Sequence, residues 1–514
     1  MSEHLTPLDA TFLELEEADD SAHMHIGAIM VFDPTPDGRI PTRLEIGAHL
    51  AHRLGQLPRY GQRLSVPHTG GLTWPAWEED PEFDLKRHLA HAALPAPGGR
   101  RELAEWSSEF FSQRLDRRRP LWEMALVEGL EGGRWALATK THHCMVDGVG
   151  SVDVGHLLLD LDREGRSEEP EARTEQNATG GDTGPLAAVA RAWKGIEGFA
   201  PAAAGAKMAQ MGAHGALHPR EALSNTRAAV EMIIRDELRA APHTSLNEPI
   251  GTRRRFDVVR VPLDDMKTIK NALGGTINDV ALTVSASGVR ALLASRGEVL
   301  PPAGVRVMVP MNVRLAGEEL ALGNKVSSLF IDLPLAHPSV VERYYETVAR
   351  SQASKSDPMR AAGATAVIEI AGLAPPVLHS AVAQALYANR LFNVTVTNVP
   401  GPQQTLYALG APLREVHPLV PLAAEHAVGV AIVSYDGNAF FGVIADRDLV
   451  ADLDVMLDAM SSSVQELLTA AQPTRAAASQ KPPDEARRGK RRRDSAPSAG
   501  KTPSTGKTPS AGKR

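Results

Sequence analysis

The sequence predicts a mixed α/β fold of two units, joined by a polar connection and followed by a disordered tail. The chain has 514 residues, which is longer than a single hydrophobic core usually supports. Its 43% hydrophobic and 23% charged content is that of a globular protein. Residues 166–185, RSEEPEARTEQNATGGDTGP, are polar and charged, which is typical of a linker. We therefore expect units over 1–165 and 250–472, a linker and helical connection over 166–249, and a tail over 473–514.

In the first unit a strand, a joint and a helix follow one another. Residues 134–142, RWALATKTH, alternate weakly and predict a strand, whereas residues 152–161, VDVGHLLLDL, have the apolar face of a helix. The stretch THHCMVDGVG, residues 141–150, forms the joint between them.

The second unit contains apolar runs that do not alternate, which indicates strands buried in a mixed sheet. Asp436-Gly437 separates two such runs and predicts the turn of a hairpin over 427–448. Helical spacing predicts helices over 279–295 and 452–471. The remaining predicted strands are 256–263, 305–313, 325–334 and 392–400.

The charge of the chain is divided unevenly. Residues 475–514 carry 12 Lys/Arg against 3 Asp/Glu, so the net charge of −7 leaves −16 on the first 474 residues. An acidic body argues against a nucleic-acid partner. The tail is poor in large apolar residues and is expected to be disordered and solvated, with contact to an anionic membrane surface as the functional alternative.

The single cysteine and the N-terminus indicate a cytoplasmic protein. Cys144 alone can form neither a disulfide framework nor a four-thiolate metal site. The acidic start of the chain lacks the apolar core of a secretory signal, and no run of about 18 apolar residues predicts a membrane-spanning helix.

The two adjacent histidines in the joint allow several interpretations. Neighbouring residues of a strand point to opposite faces, so His142 and His143 would not readily share an ion, and we expect no metal. If the strand continues, Cys144 points away from His143, and a lone buried cysteine is usually a small hydrophobe. A strand end whose histidines are satisfied by backbone hydrogen bonds remains a structural alternative.

The spacing HHxxxDG, completed by Asp147 and Gly148, favours a proton-transfer site over that alternative. With this chain's His and Gly usage, the pattern is expected by chance in about three chains per thousand. A neutral imidazole can take the proton of an alcohol that attacks a carbonyl carbon. Asp147 is interpreted as structural first, and Gly148 allows close backbone approach or a positive φ.

The motif resembles that of CoA-dependent acyltransferases related to chloramphenicol acetyltransferase and to condensation domains. The surrounding chain resembles more specifically the bacterial wax ester synthase/diacylglycerol acyltransferase family, over about residues 5–465. The segments 5–16 and 23–33 look like that family's N-terminal strand region. Further matching segments are Pro120-Leu121-Trp122, TSLNEPIGTRRRF (244–256), Asn278-Asp279, VPMNVR (309–314), LGNKVSS (322–328) and TNVPGP (397–402).

The resemblance implies two chloramphenicol-acetyltransferase-like domains that face each other across a tunnel, with the motif near its middle. It implies His143 as the general base, with His142 and Asp147 shaping the site and Gly148 keeping it open. The substrates would be a long-chain acyl-CoA and either diacylglycerol or a fatty alcohol, without a cofactor. Attachment would be peripheral, at the inner membrane face or at lipid inclusions.

Two further elements have both a functional and a structural interpretation. Asn278-Asp279 would support the site from the second domain, or cap a helix N-terminus. Pro120, Leu121 and Trp122 would line an acyl channel, or pack the entry of a strand. For the whole chain, the alternatives are transfer to another hydroxyl or amine acceptor, and a non-catalytic lipid-droplet protein.

Overall fold

This computed structural model describes residues 3–55, 57–65, 74–145, 158–165, 240–312, 326–356 and 391–472, and in them two six-stranded sheets and one two-stranded sheet form. The chain divides into a compact unit, Met1–Ala471, and a second unit, Gln472–Arg514. The predicted linker over 166–185 and the disordered tail over 473–514 lie outside the described residues, as does the helical connection up to residue 239.

The elements of the described residues follow in chain order. The helices are α1 (Pro7–Ala18), α2 (Arg43–Leu54), α3 (Arg100–Ser112), α4 (Leu263–Leu273), α5 (Ile277–Ser295), α6 (Val340–Ser356) and α7 (Leu453–Ala471). The strands are β1 (His25–Phe32), β2 (Gln62–Leu64), β3 (Trp77–Glu79), β4 (Leu89–Ala93), β5 (Trp122–Glu128), β6 (Trp135–His142), β7 (Arg254–Pro262), β8 (Val305–Asn312), β9 (Val326–Leu333), β10 (Val394–Pro400), β11 (Tyr407–Ala408), β12 (Ala411–Leu419), β13 (Val428–Tyr435) and β14 (Asn438–Asp446).

The first sheet has the order β11-β12-β1-β6-β5-β4 and contains His142 of the motif as the last residue of β6. Its central strands β1 and β6 run antiparallel, with His25 opposite His142. Seven of the eight residues of β6 are buried, because β6 lies between two strands and both of its faces are covered.

The second sheet has the order β7-β14-β13-β10-β8-β9 and is built from the strands that the sequence predicts. β10 is parallel to β13 and to β8, whereas the other pairs are antiparallel. Asp436 and Gly437 both have positive φ, 41° and 77°, which is the geometry of the predicted hairpin turn between β13 and β14. The predicted helices over 279–295 and 452–471 are confirmed as α5 and α7.

Two sequence expectations are wrong in these elements. Residues 5–16 were expected in a strand region but begin helix α1, because Thr6 accepts the Asp9 N–H at 3.1 Å and Pro7 starts the first turn. The helix predicted over 152–161 does not reach its end, since Asp160 forms a β-bridge with Tyr407. Its residues 152–157 lie outside the described residues.

The two large sheets touch at a crossover strand. β12 follows β10 in the chain, yet it pairs with β1 at the edge of the first sheet. A Cβ atom on Gly442 of β14 would meet the Pro418 carbonyl oxygen at 1.8 Å, so only glycine permits this approach. The first sheet thus contains residues of the second predicted unit. The domain boundaries and the tunnel remain predictions.

Helix α3 also joins the two sheets. Ser108 Oγ accepts the Phe256 N–H, and Ser112 Oγ accepts the Arg254 N–H, both at 2.8 Å. None of the helices in the described part of the chain is long and apolar enough to cross a membrane.

Candidate active site

Strand β6, which leads into the motif, ends at His142, one residue before the predicted base. Residues 143–145 form a turn, in which the Met145 N–H donates to the His142 carbonyl at 3.0 Å. The predicted strand over 134–142 is confirmed as β6, and because the turn begins at His143 the strand does not continue through Cys144.

His143 lies in this turn and is partly exposed. Its backbone N–H donates to the Met24 carbonyl at 2.8 Å, which ties the turn to the residue before β1. Its ring stacks on Phe12 of α1, with centroids 4.0 Å apart and planes 9° from parallel. The stacked ring is limited in rotation, so one side of α1 sets the direction in which the imidazole points.

His142 is completely buried and has different partners. Its Nδ1 atom accepts the Cys144 N–H at 3.2 Å, and its Nε2 atom lies 3.3 Å from Glu16 Oε2. Its own backbone N–H donates to the Leu121 carbonyl at 2.9 Å. Ring and backbone are therefore both held in place.

Glu16 is a buried carboxylate that the sequence analysis did not single out. Oε2 accepts the Met24 N–H at 3.0 Å, and Oε1 accepts from Arg114 Nη2 at 3.1 Å. Burial by itself would raise the pKa of Glu16, but the contact with the His142 ring and the Met24 N–H hold that pKa well below its usual range. The carboxylate is therefore ionised.

Two more histidines, also missed by the sequence analysis, surround Glu16. His25 Nε2 lies 3.6 Å from Glu16 Oε2, and burial keeps the pKa of His25 well below its usual value. Burial and the nearby Arg254 guanidinium lower the pKa of His23 to about 4. Both rings are therefore neutral at pH 7. The available signal was the segment His-Met-His at the start of an apolar strand, where polar side chains are unusual.

Cys144 is buried and its thiol is protonated. Burial, with a smaller effect of the Asp9 carboxylate, raises the pKa of Cys144 well above its usual value. Because the thiolate is the nucleophilic form of cysteine, this environment is unsuited to thiol catalysis. Within the described residues, no group of three or more His, Cys, Asp or Glu side chains could hold a metal ion.

Pro120, Leu121 and Trp122 pack against the end of the motif strand. All three are buried, and Leu121 supplies the carbonyl that accepts the His142 N–H. Trp122 Nε1 donates to the Tyr60 carbonyl at 2.8 Å, which satisfies the indole inside the core. These contacts fit the packing interpretation, and a role in lining an acyl channel remains a prediction.

Asn278 and Asp279 lie in the first turn of α5. The Asp279 carboxylate accepts from the Thr276 N–H at 2.9 Å, while Thr276 Oγ1 accepts the Asp279 N–H at 3.2 Å, which forms a capping box. Asn278 Oδ1 accepts from Asn398 Nδ2 at 3.4 Å. The contacts described for the pair lie in α5 and toward β10, so a role beside the histidines remains a prediction. Asp147 and Gly148 lie outside the described residues.

Two family models match most of the chain. Residues 5–281 match the wax ester synthase/diacylglycerol acyltransferase catalytic domain, and residues 322–468 match the C-terminal domain of the same family. The chain is also similar to the Mycobacterium tuberculosis H37Rv protein named "Probable diacyglycerol O-acyltransferase tgs1". The two are 33% identical over 476 residues, 90% of this chain and 96% of that protein.

Solved structures share the fold. The wax ester synthase/diacylglycerol acyltransferase from Marinobacter aquaeolei VT8 is 25% identical, with a TM-score of 0.62 over 91% of this chain and 99% of that one. The first condensation domain of the CDA synthetase is 17% identical, with a TM-score of 0.55 over 92% and 97%. This confirms the predicted mixed α/β fold of the chloramphenicol-acetyltransferase type.

Proposed function

Because the chain belongs to the wax ester synthase/diacylglycerol acyltransferase family, we propose that it moves a long-chain acyl group from CoA to diacylglycerol, to a fatty alcohol, or to both. Membership of this family makes the protein an O-acyltransferase. The proposal adds the donor, the acceptors and the residue that transfers the proton.

His143 is the general base in this proposal. The observation that carries the assignment is the contrast between the two histidines: His143 is partly exposed in a turn, whereas His142 is fully buried. A base must reach the acceptor hydroxyl, and a ring with no exposed surface cannot do so without rearrangement. The stacking on Phe12 supports the same assignment, because it orients the His143 ring.

During the reaction the His143 ring takes up one proton and later gives it back. A ring nitrogen of His143 takes the hydroxyl proton as the acceptor oxygen attacks the thioester carbonyl carbon. The C–O bond forms, the carbonyl becomes a tetrahedral oxyanion, and its collapse breaks the C–S bond. The protonated imidazole then returns its proton to the leaving CoA thiolate. The products are an ester and free CoA, and no covalent acyl-enzyme is needed because the thioester is already activated.

A lipid surface is the proposed partner of the enzyme. Both proposed acceptors are apolar molecules that reside in membranes or lipid inclusions. The tail from 473 carries an excess of positive charge, which favours an anionic surface by about 1 kcal/mol per basic residue close to it. We place the protein in the cytoplasm, attached peripherally to the inner membrane face or to lipid inclusions.

An acceptor assay tests the proposed activity. The purified full chain is given labelled palmitoyl-CoA with hexadecanol or dioleoylglycerol in separate reactions, with release of CoA measured in parallel. We expect labelled wax ester, triacylglycerol or both, in proportion to the CoA released. Ester formation only with another hydroxyl or an amine would overturn the acceptor class, and no product with any acceptor would favour a lipid-carrying protein.

A further inference from the structure

We propose that Glu16 is a positioning residue for acyl transfer: it orients the His142 ring, and His142 in turn holds the turn that presents His143. The inference rests on the proposed function, since it assumes that His143 is the base. It assigns to α1 a part in the reaction that the HHxxxDG pattern does not contain.

His142 closes the turn through two hydrogen bonds. The Cys144 N–H donates to its Nδ1 atom at 3.2 Å, and the Met145 N–H donates to its carbonyl oxygen at 3.0 Å. Two of the three backbone N–H groups of the turn are therefore held by this one residue. If the ring rotated, the Cys144 N–H would lose its acceptor inside the core, which is unfavourable for a buried donor.

The contacts of His142 determine which ring nitrogen carries its proton. Because Nδ1 accepts a hydrogen bond, it carries no proton, and the ring proton is on Nε2. Nε2 faces Glu16 Oε2 at 3.3 Å. A carboxylate opposite Nε2 stabilises this tautomer and this ring orientation, as a carboxylate does for the histidine of a hydrolase triad.

Helix α1 brings Glu16 to the motif together with Phe12. Phe12 and Glu16 are four residues apart in α1 and therefore share one face. Phe12 stacks on His143 and Glu16 faces His142, so a single helix face contacts both rings of the motif. Arg114 holds the carboxylate from the other side, which leaves Oε2 for the Met24 N–H and for His142, with His25 Nε2 farther away at 3.6 Å.

The stability of the fold alone does not explain why a charged side chain is buried at position 16. Its side chain is about 1% exposed, and a buried carboxylate pays a large desolvation penalty that partners only partly recover. Apolar side chains of similar volume often stabilise such positions as well or better. The carboxylate does, however, fix a tautomer, which no apolar side chain can do.

The test compares Glu16→Gln with Glu17→Gln in the full chain. Glu17 is the next residue of the same helix, but its side chain is 59% exposed and pairs with Arg117 at the surface. We expect E16Q to lower kcat about 10- to 100-fold with the KM for palmitoyl-CoA and acceptor changed less than about twofold, because the base is misoriented and not removed. E17Q should match the parent. Parental kcat in E16Q would overturn the proposal.

A double-mutant cycle separates positioning from a general structural role. In His142→Asn, the amide oxygen can replace Nδ1 as acceptor for the Cys144 N–H, but nothing replaces Nε2 opposite Glu16. If Glu16 acts through His142, adding E16Q to H142N should cause no further loss of kcat. A further loss as large as that of E16Q alone would mean that Glu16 acts independently, and would contradict the proposal.

A measurement on the parent protein tests the tautomer of His142 directly. Long-range ¹⁵N–¹H correlation of the histidine nitrogens should show His142 protonated on Nε2, with H142N used for assignment. Protonation on Nδ1 would overturn the proposal. The two levels of inference fail differently: a parent without any acyltransferase activity contradicts the proposed function, whereas an active parent with an equally active E16Q contradicts the positioning role alone.

Discussion

His142 Nε2 lies 3.3 Å from a buried carboxylate, whereas the ring of the next residue, His143, lies against Phe12 and is partly exposed. The residue type alone cannot distinguish the roles of two adjacent histidines. The packing around them can, because the end of β6 buries one and the turn exposes the other.

Glu16 shows why part of this site could not be predicted from the sequence. The motif itself was visible, since its residues lie within seven positions. Glu16 is 126 residues away from His142 and belongs to a helix rich in glutamate, where a carboxylate normally faces water. Only the fold of α1 against the end of β1 and β6 reveals that this glutamate is buried and its neighbour Glu17 is not.

Acid should destabilise the protein partly through His23. Its pKa is lowered to about 4 in the folded chain, against about 6.5 in the unfolded chain. Above pH 6.5 both states are neutral and the group has no effect. As pH falls from 6.5 toward 4, the unfolded state takes up the proton first, so stability is lost in this window.

Replacing His23 with Gln should reduce this loss. Between pH 7 and pH 5, the free energy of unfolding should fall by about 1–2 kcal/mol less in H23Q than in the parent. Denaturant unfolding at the two pH values measures the difference. His52→Gln is the control because His52 is exposed, and its pH dependence should equal that of the parent. Equal pH dependence in H23Q and the parent would show that His23 is not buried as a neutral ring.

At the scale of elements, the sequence predicted the second sheet better than the first. β7 to β10 and the β13–β14 hairpin have long apolar runs and a clear turn signal, so local pattern was sufficient. The place of β12 could not be predicted, because strand pairing depends on contacts between distant residues. β12 follows the strands of the second sheet in the chain but pairs with β1, nearly 400 residues earlier.

The close approach of β12 to β14 makes Gly442 intolerant of a side chain. In Gly442→Ala, the new Cβ would meet the Pro418 carbonyl oxygen at 1.8 Å, so the two strands must separate. We expect a loss of about 2–3 kcal/mol or more in the free energy of unfolding, measured by denaturant titration. Gly47→Ala, inside α2, is the matched control. A Cβ at Gly47 would lie 3.8 Å from the Leu89 side chain, an ordinary van der Waals distance, and alanine favours a helix. Equal stability of G442A and the parent would contradict the described packing of the two strands.

At the scale of the whole molecule, an acidic body is followed by a basic tail. Deletion of residues 473–514 should weaken binding to vesicles that contain anionic lipid and leave binding to neutral vesicles nearly unchanged. Raising the salt concentration should remove the difference, because exposed charges are screened. Vesicle co-sedimentation measures the partition. Equal partition of the parent and the truncated chain on anionic vesicles at low salt would exclude the tail from membrane attachment.

The most direct test of the central claim is the rate of ester formation by His143→Ala, measured with labelled palmitoyl-CoA and the better of the two acceptors. We expect a loss of about 10²- to 10⁴-fold in kcat, the usual contribution of a general base, while the exposed-residue control His52→Ala keeps the parental rate. Ester formation by H143A at the parental rate would contradict the assignment of His143 as the base.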